Sequence, residues 1–131
     1  MNTVAIIDYG MGNLDSVRRG VEECGARAIV TDEPGDIEAA DRIILPGVGA
    51  FPGGMHNLRA RELDKVLEDQ VRGEGAPFLG ICLGMQLLAT VGLEGGTTPG
   101  LAWIGGEVRR LVATESDSRI PHGGWNEVTP V

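Results

Sequence analysis

Cysteine and histidine are both scarce here: the chain carries Cys24, Cys82, His56 and His122 and no others of either kind. Two thiols cannot build a disulfide framework, and these four residues at their spacings match no metal-ligand pattern, so no metal site is expected. Aromatic residues make up only 4% of the chain, and no apolar run is long enough to span a bilayer or act as a secretory h-region. Reduced thiols in a cytoplasmic setting, away from membranes, are the expectation. Positive charge is also in short supply, with 11 basic against 19 acidic residues, a formal charge of −8 and no basic cluster. That balance argues against nucleic acid or an anionic surface as the main partner. There is no internal repeat, charged tail or dividing linker. The 131 residues, 42% of them hydrophobic, suffice for one domain with one core.

Glycine, by contrast, is abundant: 21 of 131 residues, about twice the usual share of roughly 7%. Many backbone positions therefore face special turns or a close-lying ligand. "TVAIID" (Thr3 to Asp8) reads as a buried strand followed by the glycine loop "YGMGN". Asn13 can cap a helix marked by Leu14, Val17, Val21 and Cys24, with Gly25 at its end. "RAIVT" (Arg27 to Thr31) is a second strand, "DIEAA" (Asp36 to Ala40) a short helix, and "RIILPGVGAF" (Arg42 to Phe51) a third strand entering a glycine loop. Leu63, Val66, Leu67 and Val71 mark an amphipathic helix. "APFLGIC" (Ala76 to Cys82) is a fourth strand and "LGMQLLAT" (Leu83 to Thr90) the helix after it. Alternating strands and helices predict an α/β fold, a doubly wound, mostly parallel sheet with helices on both faces. Gly92 to Gly106 reads as a loop or irregular hairpin, and "GEVRRLV" (Gly106 to Val112) and "GWNEVTPV" (Gly124 to Val131) as added, antiparallel strands. A chain stopping straight after a strand suggests an incomplete domain, truncated at its carboxyl end.

The sequence "GICLG" places Cys82 at the centre of the G-x-C-x-G pattern of a nucleophile elbow, with Gly80 and Gly84 removing side chains that would collide at the turn. A thiol there stands at the carboxyl edge of a strand and the amino end of a helix, a setting that favours thiolate. The amide of Leu83 would face an oxyanion. A second donor belongs at a neighbouring strand's carboxyl end, where "PGVGAF" (Pro46 to Phe51) lies; a plain tight turn would use the same residues. The plain alternative for the cysteine is a buried structural thiol. "DYGMGN" lacks the third glycine of a dinucleotide fingerprint, since Asp15 stands there.

These motifs resemble those of class I (triad) glutamine amidotransferases. "DYGMGNL", "PGVGAF" and "PHGGWN" (Pro121 to Asn126) together with "GICLGMQ" are similar to the glutaminase subunits of imidazole glycerol phosphate synthases, over the whole chain. The resemblance implies a flavodoxin-like fold and an enzyme of histidine biosynthesis without cofactor. Cys82 would attack the amide carbon of glutamine, passing through a thioester to glutamate, and ammonia would enter a cyclase subunit bound as a heterodimer. Val48, Gly49 and Leu83 would form the oxyanion hole, and Gly47, Gly49 and Gln86 would hold glutamine. Tyr9, Gly10, Asn13, Pro121, His122, Trp125 and Asn126 match stretches that face the cyclase; Trp125 could equally be a core aromatic.

The catalytic histidine and glutamate of the family lie in an "HPE"-like motif that does not occur among these residues. His56 reads as an exposed residue and His122 as part of the partner-facing motif, so neither is assigned to a triad. The 131 residues alone are therefore expected to turn over glutamine poorly. Two other readings stay open: an elbow cysteine that is oxidised to sulfenic acid in a redox sensor or protective protein, and a nucleotide-binding module using "YGMGN".

Overall fold

The structure, a computed structural model, describes residues 1–131. Strands β1 (Thr3–Ile7), β2 (Arg27–Thr31), β3 (Arg42–Leu45) and β4 (Phe78–Gly80) form one parallel sheet in the order β2-β1-β3-β4. This is the flavodoxin-like order, which reverses between β1 and β3 and so opens a crevice at the carboxyl ends of those strands. Helix α1 (Leu14–Glu23) links β1 to β2: Asn13 caps it by accepting from the Ser16 amide at 3.3 Å, and Gly25, at φ +79°, turns the chain away. Helix α2 (Pro34–Ala39) leads into β3.

Alternation along β1 sends Val4 and Ile6 to one face, where they meet Val21 of α1. Ile7 joins the larger core on the other face with Ile37, Ile43 and Leu45. The two faces are unequally covered. On the α1 side, Val4, Val17, Val21, Ile44, Leu79 and Ile81 line an open groove of about 510 Å³.

Helix α3 (Phe51–Ala60) was not expected, because Pro52, Gly53 and Gly54 read as loop. Proline is tolerated in a first helical turn, and Phe51, Gly54, Met55 and Leu58 recur at helical spacing and are buried. The amphipathic helix is α4 (Leu63–Leu67), continuing as a π-helical segment, Glu68–Gly73. That wider turn keeps Val66 and Val71, five residues apart, against one core.

The expected Leu83 to Thr90 helix is shorter: α5 spans Leu83–Gln86, and β5 (Ala89–Gly92) follows. The carbonyls of Leu87, Leu88, Ala89 and Thr90 are taken by amides of residues 100–104 instead of by a further helical turn. The glycine-rich stretch holds β6 (Thr98–Pro99), antiparallel to β5. The next strand is β7 (Ile104–Val108), shifted from the expected Gly106 to Val112; it runs parallel to β5 with a bulge, against the antiparallel expectation. Gly124 to Val131 forms no strand: it is exposed throughout and has no neighbour to complete a ladder.

The packing of the glycines yields opposite expectations for two alanines. Gly20→Ala, in the middle of α1 with nothing within 4 Å of a new Cβ, should stabilise by about 0.5–1 kcal/mol. A Cβ at Gly84 would lie 1.8 Å from the Leu45 carbonyl oxygen, so Gly84→Ala should cost about 3 kcal/mol. Urea midpoints check both, and shifts of the same sign would contradict this packing.

Candidate active site

Three loops converge at the carboxyl edge of the sheet. Pairing of Leu45 with Gly80, followed by donation from the Ile81 amide to the Leu45 carbonyl at 2.9 Å, brings the ends of β3 and β4 side by side. The chain then turns at Cys82, which has φ +53° and ψ −116° and is exposed. A non-glycine residue in that region carries strain, the mark of a nucleophile elbow. Gly80 and Gly84 permit the fold-back: a Cβ on Gly80 would sit 2.8 Å from Met85 Cα, and one on Gly84 would overlap Leu45. Because α5 has only 4 residues, the helix-end charge expected behind the thiol is that of a single turn.

The Pro46–Ala50 loop lies against the elbow. A Cβ on Gly47 would meet the Tyr9 hydroxyl at 2.2 Å, Leu83 Cβ at 2.8 Å and the Gly84 amide nitrogen at 3.0 Å. The Leu83 amide donates to the Gly47 carbonyl at 3.3 Å, so this prospective oxyanion donor is occupied. The Val48 and Gly49 amides have no protein acceptor, and Val48 is 65% exposed. Gln86, one turn beyond Cys82, lines a cavity of about 480 Å³ with Leu93, Glu94, Gly95, Val108, Arg109 and Arg110.

Glu94 was not anticipated. Its carboxylate accepts from the Phe51 amide at 3.0 Å, capping α3, which has no side-chain cap of its own. A lone acid among glycines in "GLEGG" is the only sequence signal for it.

Tyr9, expected on a partner face, is 0% exposed and belongs to the core. Its hydroxyl donates to the Pro46 carbonyl at 2.5 Å, and burial, then the charge of Cys82, push the phenol pKa far upward. Gly10 and Asn13 are exposed beside it. Pro121, His122, Trp125 and Asn126 are also exposed, Trp125 at 102%, which removes it from the core. That stretch makes no hydrogen bond to the loops around Cys82; His122 pairs with Asp117 at 3.2 Å and meets Arg119 at 3.1 Å. His56 is exposed, and neither histidine is hydrogen-bonded to Cys82. No group of metal-ligating side chains occurs, and no helix is long and apolar enough to cross a membrane.

The profile of the family "Glutamine amidotransferase class-I" matches residues 5–129. The chain belongs to that family. Among curated amidotransferase relatives, the imidazole glycerol phosphate synthase subunit HisH of Caulobacter vibrioides is 46% identical over 137 residues, covering 100% of this chain and 64% of that protein. The subunit HisH of Nostoc punctiforme is 50% identical over 128 residues, 98% of this chain and 59% of that protein. That of Thermosynechococcus vestitus is 51% identical over 126 residues, 96% and 59%. The chain thus spans about three-fifths of the length of these relatives. Among solved structures, a putative peptidase E protein from Listeria monocytogenes superposes with TM-score 0.65 at 13% identity, over 79% of this chain and 63% of that one. That likeness concerns the fold alone.

The strain at the amidotransferase elbow can be measured. Glycine relieves a positive φ, so Cys82→Gly should be more stable than Cys82→Ala by about 1 kcal/mol, reversing the usual order. Denaturation of the two variants checks this; alanine equal to or better than glycine would show an unstrained turn.

Proposed function

We propose that this chain is the cysteine-bearing part of a glutaminase subunit of imidazole glycerol phosphate synthase, acting in the cytoplasm in histidine biosynthesis. The observation that carries the reading is an exposed cysteine in a strained elbow, flanked by the amide-bearing Pro46–Ala50 loop. In this reading the Cys82 sulfur attacks the side-chain amide carbon of glutamine. The C–S bond forms as the carbonyl π electrons move onto oxygen. Collapse of that oxyanion breaks the C–N bond, the proton given up by the thiol ending on the departing nitrogen so that it leaves as ammonia, and water then hydrolyses the thioester to glutamate and the free thiol.

Leu83 and the Val48–Gly49 segment supply the donors for the oxyanion. Since the Gly47 carbonyl occupies the Leu83 amide, the hole opens only when the Gly47–Val48 peptide turns over, which withdraws the acceptor and swings the Val48 N–H toward the site. Gly47, Gly49 and Gln86 hold the substrate amide end. Glu94, Arg109 and Arg110 give the adjoining cavity charges of both signs, which suit the ammonium and carboxylate of an α-amino acid.

Ammonia would pass to a cyclase subunit. Gly10, Asn13 and the Pro121–Asn126 stretch are offered as its docking face, a role supported by the full exposure of Trp125, since an aromatic ring outside the core is a common anchor of interfaces.

Two measurements test the proposal. Iodoacetamide should modify both exposed thiols, whereas a diazoketone analogue of glutamine should modify Cys82 and spare Cys24; no selectivity, with preferential oxidation of Cys82 by peroxide, would favour the redox reading. With no histidine placed to exchange protons with Cys82, glutamate release by this chain, even with cyclase and its ligand, should fall at least about 10²-fold below that of a longer relative. Comparable turnover would refute the proton-transfer part of the assignment.

A further inference from the structure

We infer that Tyr9 is a positioning residue for the oxyanion turn, its buried hydroxyl holding the Pro46–Gly47 peptide still while the adjoining Gly47–Val48 peptide turns over. This inference deepens the amidotransferase reading and rests on it. The Tyr9 hydroxyl reaches from the end of β1 to the end of β3 and is the only donor to the Pro46 carbonyl. Pro46 is itself buried, so that carbonyl has no water to replace the bond. The hydroxyl fills the space a side chain at position 47 would need, with 2.2 Å to a notional Cβ. Tyrosine and glycine here are complementary in shape as well as joined through a hydrogen bond.

The tyrosine is fixed from behind. Its carbonyl accepts from Asn57 Nδ2 at 2.9 Å and from Arg61 Nη1 at 3.3 Å, both beyond the loop that the hydroxyl secures. The residues after it reinforce the contact. A Cβ on Gly12 would lie 3.4 Å from Gly47 Cα, and the Met11 methyl covers Gly49 and Gly53. A peptide flip needs one fixed neighbour if its N–H is to arrive in one place, and misplacement of a stabilising dipole by about 1 Å costs on the order of 10²-fold in rate. Burial and the neighbouring sulfur keep the phenol protonated, so it stays a donor when Cys82 is ionised.

Tyr9→Phe removes the hydroxyl and keeps the ring, and the test compares two reactions of Cys82 in the same 131-residue chain. Iodoacetamide alkylates a thiolate without forming an oxyanion. The γ-(p-nitrophenyl) ester of glutamate acylates it through one: the sulfur adds to the carbonyl, and p-nitrophenolate leaves unprotonated, so no general acid is needed. Both reactions require the same thiolate, and their ratio isolates the hole. In the Phe variant acylation should slow by about 10- to 100-fold while alkylation changes less than about twofold.

Equal slowing of both reactions, or acylation unchanged or faster, would overturn the inference. A parent chain that is alkylated but never acylated would overturn the amidotransferase reading and this one with it. Tyr9 is the single tyrosine of the chain, so biosynthetic 3-fluorotyrosine marks it alone. Its fluorine resonance should stay in the neutral-phenol position at pH values where free 3-fluorotyrosine ionises. Titration like that of the free amino acid would overturn the inference even if the Phe variant did not fold.

Discussion

Leu45 stands opposite Gly80 where β3 pairs with β4, and the reactive end of the molecule depends on that register. The ladder runs one bond further, from the Ile81 amide to the Leu45 carbonyl, before the two chains part as Pro46–Gly47 and Cys82–Leu83. A slip of a single residue would move the elbow by about 3.3 Å and exchange the faces of every side chain on β4. The carbonyl that fixes the register is also the atom a side chain at Gly84 would strike. Close approach of backbone to backbone is therefore the common requirement behind both the sheet edge and the turn.

That approach forces Cys82 into a conformation whose cost is about 1–3 kcal/mol, and the residues just beyond the elbow offset it. Leu83 and Leu87 are buried in the larger core cluster, and burying a leucine side chain contributes about 1.5–3 kcal/mol. Two such anchors exceed the strain. Bonds from Gly84 to the Ile81 carbonyl and from Gln86 to the Cys82 carbonyl close the turn on either side of the thiol. The sulfur is thus held exposed by the burial of its neighbours.

How much of this could be read from the chain depends on how local each cause is. The four strands of the main sheet show as apolar runs, α1 shows through Asn13 and Gly25, and the elbow shows because the glycine requirement acts within a few residues. Helix α3 does not show, since Pro52, Gly53 and Gly54 oppose it locally and it forms through burial of Phe51, Met55 and Leu58. Strand β5 is equally hidden, because the bonds that replace a helix there come from residues 100–104. The same distinction divides the site. Cys82 and Leu83 are placed by their own turn, whereas Glu94 reaches Phe51 across 43 residues and Tyr9 reaches Pro46 across 37. Side chains acting over such separations leave no periodic trace.

Those two long-range contacts also explain how loops can hold a defined geometry. Helix α3 begins at the end of the Pro46–Ala50 loop, where Glu94 fixes its first amide, and a turn and a half later Asn57 grips the Tyr9 carbonyl. The loop is therefore held at its start by Tyr9 and at its finish by Glu94, with α3 bonded to both holders. Between them the amides of Gly47, Val48, Gly49 and Ala50 have no protein acceptor. Freedom restricted to so short a stretch is small in entropy and specific in direction. A short loop secured at both ends meets the geometric demand of oxyanion stabilisation better than either a wholly fixed or a wholly mobile one.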